Sequence, residues 1–285
     1  MKTKKNKIDG VFLIILTTLI FSIQDGFSFF LLKNYNIFQI IMLRYWFLAL
    51  ILLIYFFKKK KYKQKINTSM KILHILRGTI LVFEICFTVY CFKLFGLTNS
   101  HAIFVTYPLI TFIIAKLFLH EKTSWKFYFS IILGVIGVFF IINSKNISYD
   151  IYILIPLLSS FLFSIYGVLT RYTSRKDDIL SNFFFTILPG IIITSPLGFY
   201  YWQKIQVSHF SSIFFLCLIS SISFFAFIKA YETKEISKLQ PFAYFQSIFA
   251  SIIGIFYFGD EVTLSFLLGA IIVILAGIFV MKKIN

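Results

Sequence analysis

Acidic residues are scarce in this chain: its 285 residues hold 11 Asp and Glu against 28 Lys and Arg. Charge of either sign is scarce too, at 14% of residues, where a soluble chain has about a quarter. Cysteine is confined to Cys86, Cys91 and Cys217, an odd number inside apolar runs with no ligand-like spacing. That excludes a disulfide framework and a thiolate metal site. No Gly-x4-Gly-Lys-Ser/Thr stretch occurs, so energy from a bound nucleotide is not expected. The four histidines fall near helix ends without a second ligand at helical spacing, so no metal is expected either. Neither a catalytic set nor a cofactor motif is present. The basic residues 1–9 precede an apolar run with no small-residue cleavage site, which reads as a retained helix and not as a removed signal.

What the chain has in quantity is apolar surface. Hydrophobic residues make up 59% of it, 39 of them Phe, and most of these Phe read as lipid-facing filler. Apolar runs fall at 10–32, 37–57, 72–95, 99–119, 126–143, 150–170, 180–200, 210–230, 239–258 and 262–281. Ten spans at ~20 residues each use roughly 200 residues, which leaves no room for a soluble catalytic domain. The expectation is an all-α polytopic membrane protein with ten transmembrane helices. The net charge of +17 sits in short runs between the spans and forms no continuous face, which argues for a bilayer partner and against nucleic acid.

Orientation follows from the placement of Lys and Arg. With a cytoplasmic N-terminus, the inner segments carry 21 basic residues, including Lys58 to Lys61, Arg171, Arg175, Lys176, Lys282 and Lys283. The outer loops carry 3, namely Lys33, Lys145 and Lys204. Ten helices with both termini in the cytoplasm of a bacterial inner membrane fit that ratio. The loop from Lys58 to Lys65 reads as an orientation signal that also meets anionic lipid.

The two halves, 1–145 and 146–285, repeat one another. His101–Tyr107–Pro108, Glu121, Gly134 and Gly137 in the first are echoed by Pro241–Tyr244–Gln246, Gly259–Asp260–Glu261, Gly269 and Gly277 in the second. A shift of 140 residues superposes Glu121 on Glu261 and Gly137 on Gly277. Five helices is an odd number, so the second copy enters the membrane inverted. That is a transporter architecture, with the site expected at the repeat interface.

These features resemble the EamA-type members of the drug/metabolite transporter superfamily, over essentially the whole chain. Gln39-x4-Arg44, His74-Ile75-Leu76-Arg77-Gly78, Tyr107-Pro108-Leu109, Pro241-x2-Tyr244 and Phe258-Gly259-Asp260 carry the resemblance. They are similar to the branch that contains S-adenosylmethionine uptake and riboflavin carriers. The resemblance implies a secondary transporter for a small metabolite, with proton coupling or exchange as its energy source. It also implies a dimer or scaffold surface on the fifth and tenth helices. Asp260-Glu261 departs from the single acid that many members have there.

A charge in hydrocarbon costs about 2.5–3.5 kcal/mol on insertion scales, so each one needs a partner or a wet cavity. Asp25 and Arg44 lie at similar depth, ~6 Å and ~5 Å outward of their helix centres at 1.5 Å per residue, and Glu84 lies near the middle of the third helix. These three either line a translocation path or, for Asp25 and Arg44, form a structural ion pair. Gln24 adjoins Asp25, and Tyr107 precedes a proline that frees a backbone carbonyl. Tyr166 sits in the sixth helix, and Tyr244 and Gln246 occupy the repeat position facing Tyr107. These eight are the candidate substrate-binding residues. Arg77 and Lys116 read as snorkelling side chains, and His101 as either a helix-end polar residue or a group at the outer mouth. Ser159, Ser160 and Ser164 read as packing contacts, and the acidic turns Glu121 and Asp260-Glu261 as N-caps of the fifth and tenth helices.

Overall fold

A computed structural model describes residues 10–58, 68–104, 106–142, 151–259 and 264–281. Eleven α-helices follow in order: α1 (Gly10–Leu31), α2 (Ile37–Lys58), α3 (Lys71–Phe104), α4 (Tyr107–Phe118), α5 (Trp125–Ile142), α6 (Leu154–Ser174), α7 (Ile179–Tyr200), α8 (Phe210–Thr233), α9 (Ile236–Ala243), α10 (Phe245–Phe258) and α11 (Leu264–Met281). Seven helical stretches are long and apolar enough to cross a membrane, and Tyr107–Phe118, Trp125–Gly137 and Leu267–Phe279 are shorter apolar helices. Together they make ten spans. Helix is the only economical state for such segments, because lipid offers nothing to a free N–H or C=O.

The spans do not map one-to-one onto helices, for a backbone reason. Gly96 takes φ 76° and ψ 177° inside α3, a left-handed conformation that glycine adopts without strain. The third span ends there and the fourth begins at once, without a loop. The fourth span is then broken between Phe104 and α4, and the ninth is broken at Tyr244, between α9 and α10. The Asp260-Glu261 turn and the Lys59 to Lys65 part of the basic loop lie outside the described residues, as do the basic tails and Lys145.

Helix packing has a hidden symmetry. α3 packs on α6 as α1 packs on α8, and α4 packs on α6 as α10 packs on α1. α3 with α7 mirrors α8 with α2, while α2–α7, α4–α9 and α5–α11 pair across the two halves. Exchanging the first five spans for the last five leaves this pattern unchanged. Two halves of five spans each thus clasp each other through like elements.

Loops separate to two ends of the bundle. At the basic end, Thr68 and His74 meet Asp177, at 2.6 and 2.7 Å, and Glu121 meets Arg175 and Ser237. At the far end, the Tyr35 hydroxyl meets His209 Nδ1 at 2.9 Å. There, too, Gln39 exchanges two hydrogen bonds with the backbone of Gln203. Large apolar side chains such as Phe57, Ile72, Phe118, Phe139 and Tyr257 point outward, while Thr17, Ser22, Ser159, Ser164 and Ser223 are buried. That inside-out distribution suits hydrocarbon as the solvent.

Gly137 and Ser130 of α5 face α11 within the same chain, while Gly134 faces Tyr244. A Cβ on Gly137 would lie 2.8 Å from the Gly269 carbonyl, and Ser130 donates to the Ala276 carbonyl at 2.6 Å. The outer face of α5 carries Trp125, Phe129, Ile132, Ile136 and Phe139.

Candidate functional site

Backbone carbonyls beside the helix breaks accept from hydroxyls of the opposite repeat. Pro108 has no N–H for the carbonyl of Phe104; that carbonyl accepts instead from Ser160 of α6 at 2.9 Å. Ser164, one turn on, donates to the Tyr107 carbonyl at 3.0 Å. In the ninth span the Gln246 carbonyl accepts from Ser22 of α1 at 3.0 Å. The broken helices are therefore held in place from across the repeat interface, and they bring side chains from both halves to one spot.

There, Gln24 and Asp25 from α1, Arg44 from α2, Glu84 and Thr88 from α3 and Gln246 from α10 line one cavity. Phe21, Phe104, Phe163 and Phe224 wall it. Its volume is about 40 Å³, enough for a few waters and too small for a metabolite.

The three charges are not paired with one another. Asp25 Oδ2 lies 3.1 Å from His101 Nε2, and both residues are buried. His101 stacks on Phe92 and meets Phe104 edge-on. Glu84 Oε1 accepts from Thr88 Oγ1 at 2.7 Å and from Ser159 Oγ at 3.3 Å, and the Thr88 and Ser159 hydroxyls touch. Arg44, only 4% exposed, makes no ion pair or side-chain hydrogen bond among the described residues, and its Nε is buried without a partner. The expected Asp25–Arg44 ion pair does not form; Asp25 turns to His101 instead. Gln24 Oε1 accepts from Ser223 at 3.0 Å and Gln246 Oε1 from Tyr107 at 3.2 Å.

Of the eight residues singled out in the sequence, Gln24, Asp25, Arg44, Glu84 and Gln246 line the cavity. Tyr107 stands behind Gln246. Tyr166 lies deeper, stacked on Phe227 and beneath the Arg77 guanidinium at 5.4 Å. Tyr244 is turned away altogether: its ring fills the space over Gly134, and its hydroxyl reaches the Ile131 carbonyl at 3.4 Å. Thr88 and Ser159 join the site without having been singled out for it, and His101, read from the sequence as a helix-end polar residue or a group at the outer mouth, lies buried beside Asp25.

Two side chains near the basic end behave differently from expectation. Arg77 does not snorkel; it is fully buried and donates to Thr170, Thr186 and the Asn182 carbonyl at 2.6–3.0 Å. Glu121 does not cap α5. It crosses to the other repeat and caps α9, accepting from the backbone N–H of Ile236 and Ser237 at 3.2 and 2.9 Å. Arg171 and Arg175 lie 3.5 and 3.1 Å from the same carboxylate. Lys116 lies 5.3 Å from the Tyr128 ring. Among the described residues no group of His, Cys, Asp and Glu is arranged to hold a metal.

Residues 8–143 and 150–282 each match the EamA-like transporter family. The S-adenosylmethionine uptake transporter of Rickettsia prowazekii (strain Madrid E) is 25% identical over 276 residues, which cover 97% of this chain and 93% of that protein. The riboflavin transporter of Brucella anthropi is 25% identical over 224 residues, covering 76% of this chain and 79% of that protein. A solved crystal structure superposes with a TM-score of 0.77 over 96% of this chain and 95% of its own at 10% identity, a likeness of fold.

Proposed function

The chain belongs to the EamA-like transporter family, and from that premise we propose a secondary carrier that moves a small zwitterionic metabolite by alternating access. The halves 1–145 and 146–285 rock about the central cavity, and the basic end faces the cytoplasm together with both termini. The observation that carries this reading is the convergence of Asp25, Arg44, Glu84, Gln24 and Gln246, from both repeats, on one cavity. Ionised groups at this depth are retained where they serve a path.

S-Adenosylmethionine is the leading substrate. S-Adenosylmethionine carries two positive groups and one carboxylate, and the cavity offers the carboxyl groups of Asp25 and Glu84 and the guanidinium of Arg44 to meet them. Riboflavin has no formal charge for those groups to meet. Uptake would proceed by exchange or with a proton, for which Glu84 and the Asp25–His101 pair are the acceptors.

Reconstituted protein in proteoliposomes tests this with labelled S-adenosylmethionine, riboflavin and a panel of amino acids, with and without a proton gradient. Saturable S-adenosylmethionine uptake, competed poorly by riboflavin, is expected. Uptake of another member of the panel reassigns the substrate. No uptake of any member, from protein that is folded and inserted, overturns the carrier reading.

A further inference from the structure

Among the three charged side chains of the cavity, the acids are engaged and the base is free. Asp25 has His101 at 3.1 Å, and Glu84 holds Thr88 and Ser159. Arg44 makes no ion pair or hydrogen bond at contact distance among the described residues, although it is 4% exposed and lines the cavity. A guanidinium carries five donors and no acceptor, and its planar fork matches a carboxylate. A buried guanidinium without a counter-ion in contact is costly, so the cavity beside it favours an anion. Gln24 and Gln246 add to this: each already accepts through Oε1, so donor N–H groups are what they have left to offer.

We infer that Arg44 is the anchor for a carboxylate of the transported molecule, and that this contact sets the specificity of the site. The inference rests on the proposed carrier function and narrows it. A cation alone could meet the remaining lone pairs of Asp25 or Glu84, but it would leave Arg44 unmet. A carboxylate joins the one group that has no partner to lose. The charged centre that accompanies it then falls toward Asp25 and Glu84, so that orientation in the site is fixed by the acid end.

Binding to the purified full-length chain, measured by calorimetry in lipid nanodiscs, tests this independently of transport. The probes are S-adenosylmethionine and its decarboxylated analogue, which differ at the carboxylate. Wild-type protein should prefer the acid by about 10- to 100-fold, the scale of a hydrogen bond to a charged group. Arg44→Gln should bind both at the level of the decarboxylated analogue, and Arg44→Lys should keep part of the preference. Equal binding of the two probes by wild type overturns the inference, as does an undiminished preference in Arg44→Gln; the wild-type comparison decides even if that variant fails to fold. Should neither probe bind, the leading substrate falls. Paired amino acids and their amides, scored by thermal shift, then decide the role of Arg44. A preference for acid over amide that is lost in Arg44→Gln or reduced in Arg44→Lys supports it, and no such preference in any pair overturns it. A preserved carboxylate preference without transport defeats the carrier reading and leaves Arg44 as the anchor.

Discussion

Asp25 and His101 face each other at 3.1 Å in the interior of the bundle, one on the first span and the other just past the kink at Gly96. The contact joins α1 to the start of the fourth span within the first repeat, beside the cavity that both repeats build. Replacing Asp25 by Asn removes the charge and keeps the volume. Uptake should fall at least tenfold in Asp25→Asn, and His101→Gln should fall less, because the carboxylate survives. Transport assays on both variants, normalised to inserted protein, check this; equal uptake in Asp25→Asn and wild type defeats it.

Glu84→Gln should abolish transport while expression and insertion stay as in the wild type. The amide still accepts from Thr88 and Ser159, so the local bonds persist and only the charge goes. Unchanged uptake would take Glu84 out of the path.

At the basic end, the Glu121 carboxylate caps α9 and sits against two arginines. Glu121→Ala would leave two backbone N–H groups unmet and Arg171, mostly buried, without its counter-charge. A loss of about 2–4 kcal/mol is expected, read as a clear drop in the melting temperature of purified protein. Glu121→Gln should fall between the two.

Tyr244 and Gly134 form a ring-and-gap pair. A Cβ at position 134 would collide with the Tyr244 ring, so Gly134→Ala should destabilise by about 1–3 kcal/mol through overpacking. Tyr244→Phe loses only a long hydroxyl contact of 3.4 Å and should transport like the wild type. A large transport defect in Tyr244→Phe with normal stability would return Tyr244 to the site.

Gly96→Ala should cost about 1–3 kcal/mol, because φ 76° with ψ 177° is a backbone region that essentially only glycine adopts. The surroundings offer no clash, with no atom within 4 Å of the added carbon. A lowered melting temperature of the purified variant is expected, and an unchanged one defeats this.

Much of the architecture was legible because membrane physics writes it in bulk. Apolar runs near bilayer length mark the spans, and the repeat shows in the spacing of prolines, glycines and acids. Asp25, Arg44 and Glu84 stood out because a charge in hydrocarbon is rare. Which partners they take was not legible. His101 reads as a helix-end residue until the φ 76° turn at Gly96 shows how abruptly the fourth span starts. The repeat put Tyr244 opposite Tyr107, but the direction of its ring depends on the gap at Gly134, a contact between distant segments. Arg77 looked like a snorkelling side chain because Thr170, Asn182 and Thr186, which satisfy it, lie on two other helices. Sequence position alone does not report depth when acceptors arrive from elsewhere.

The small cavity of about 40 Å³ also bears on what the protein does when idle. A cell depends on its membrane to hold voltage, and a standing pore through a carrier would short-circuit it. Phenylalanine walls around so small a chamber make the unloaded protein an electrical plug, so liposomes containing it should hold an imposed potential as long as empty ones do.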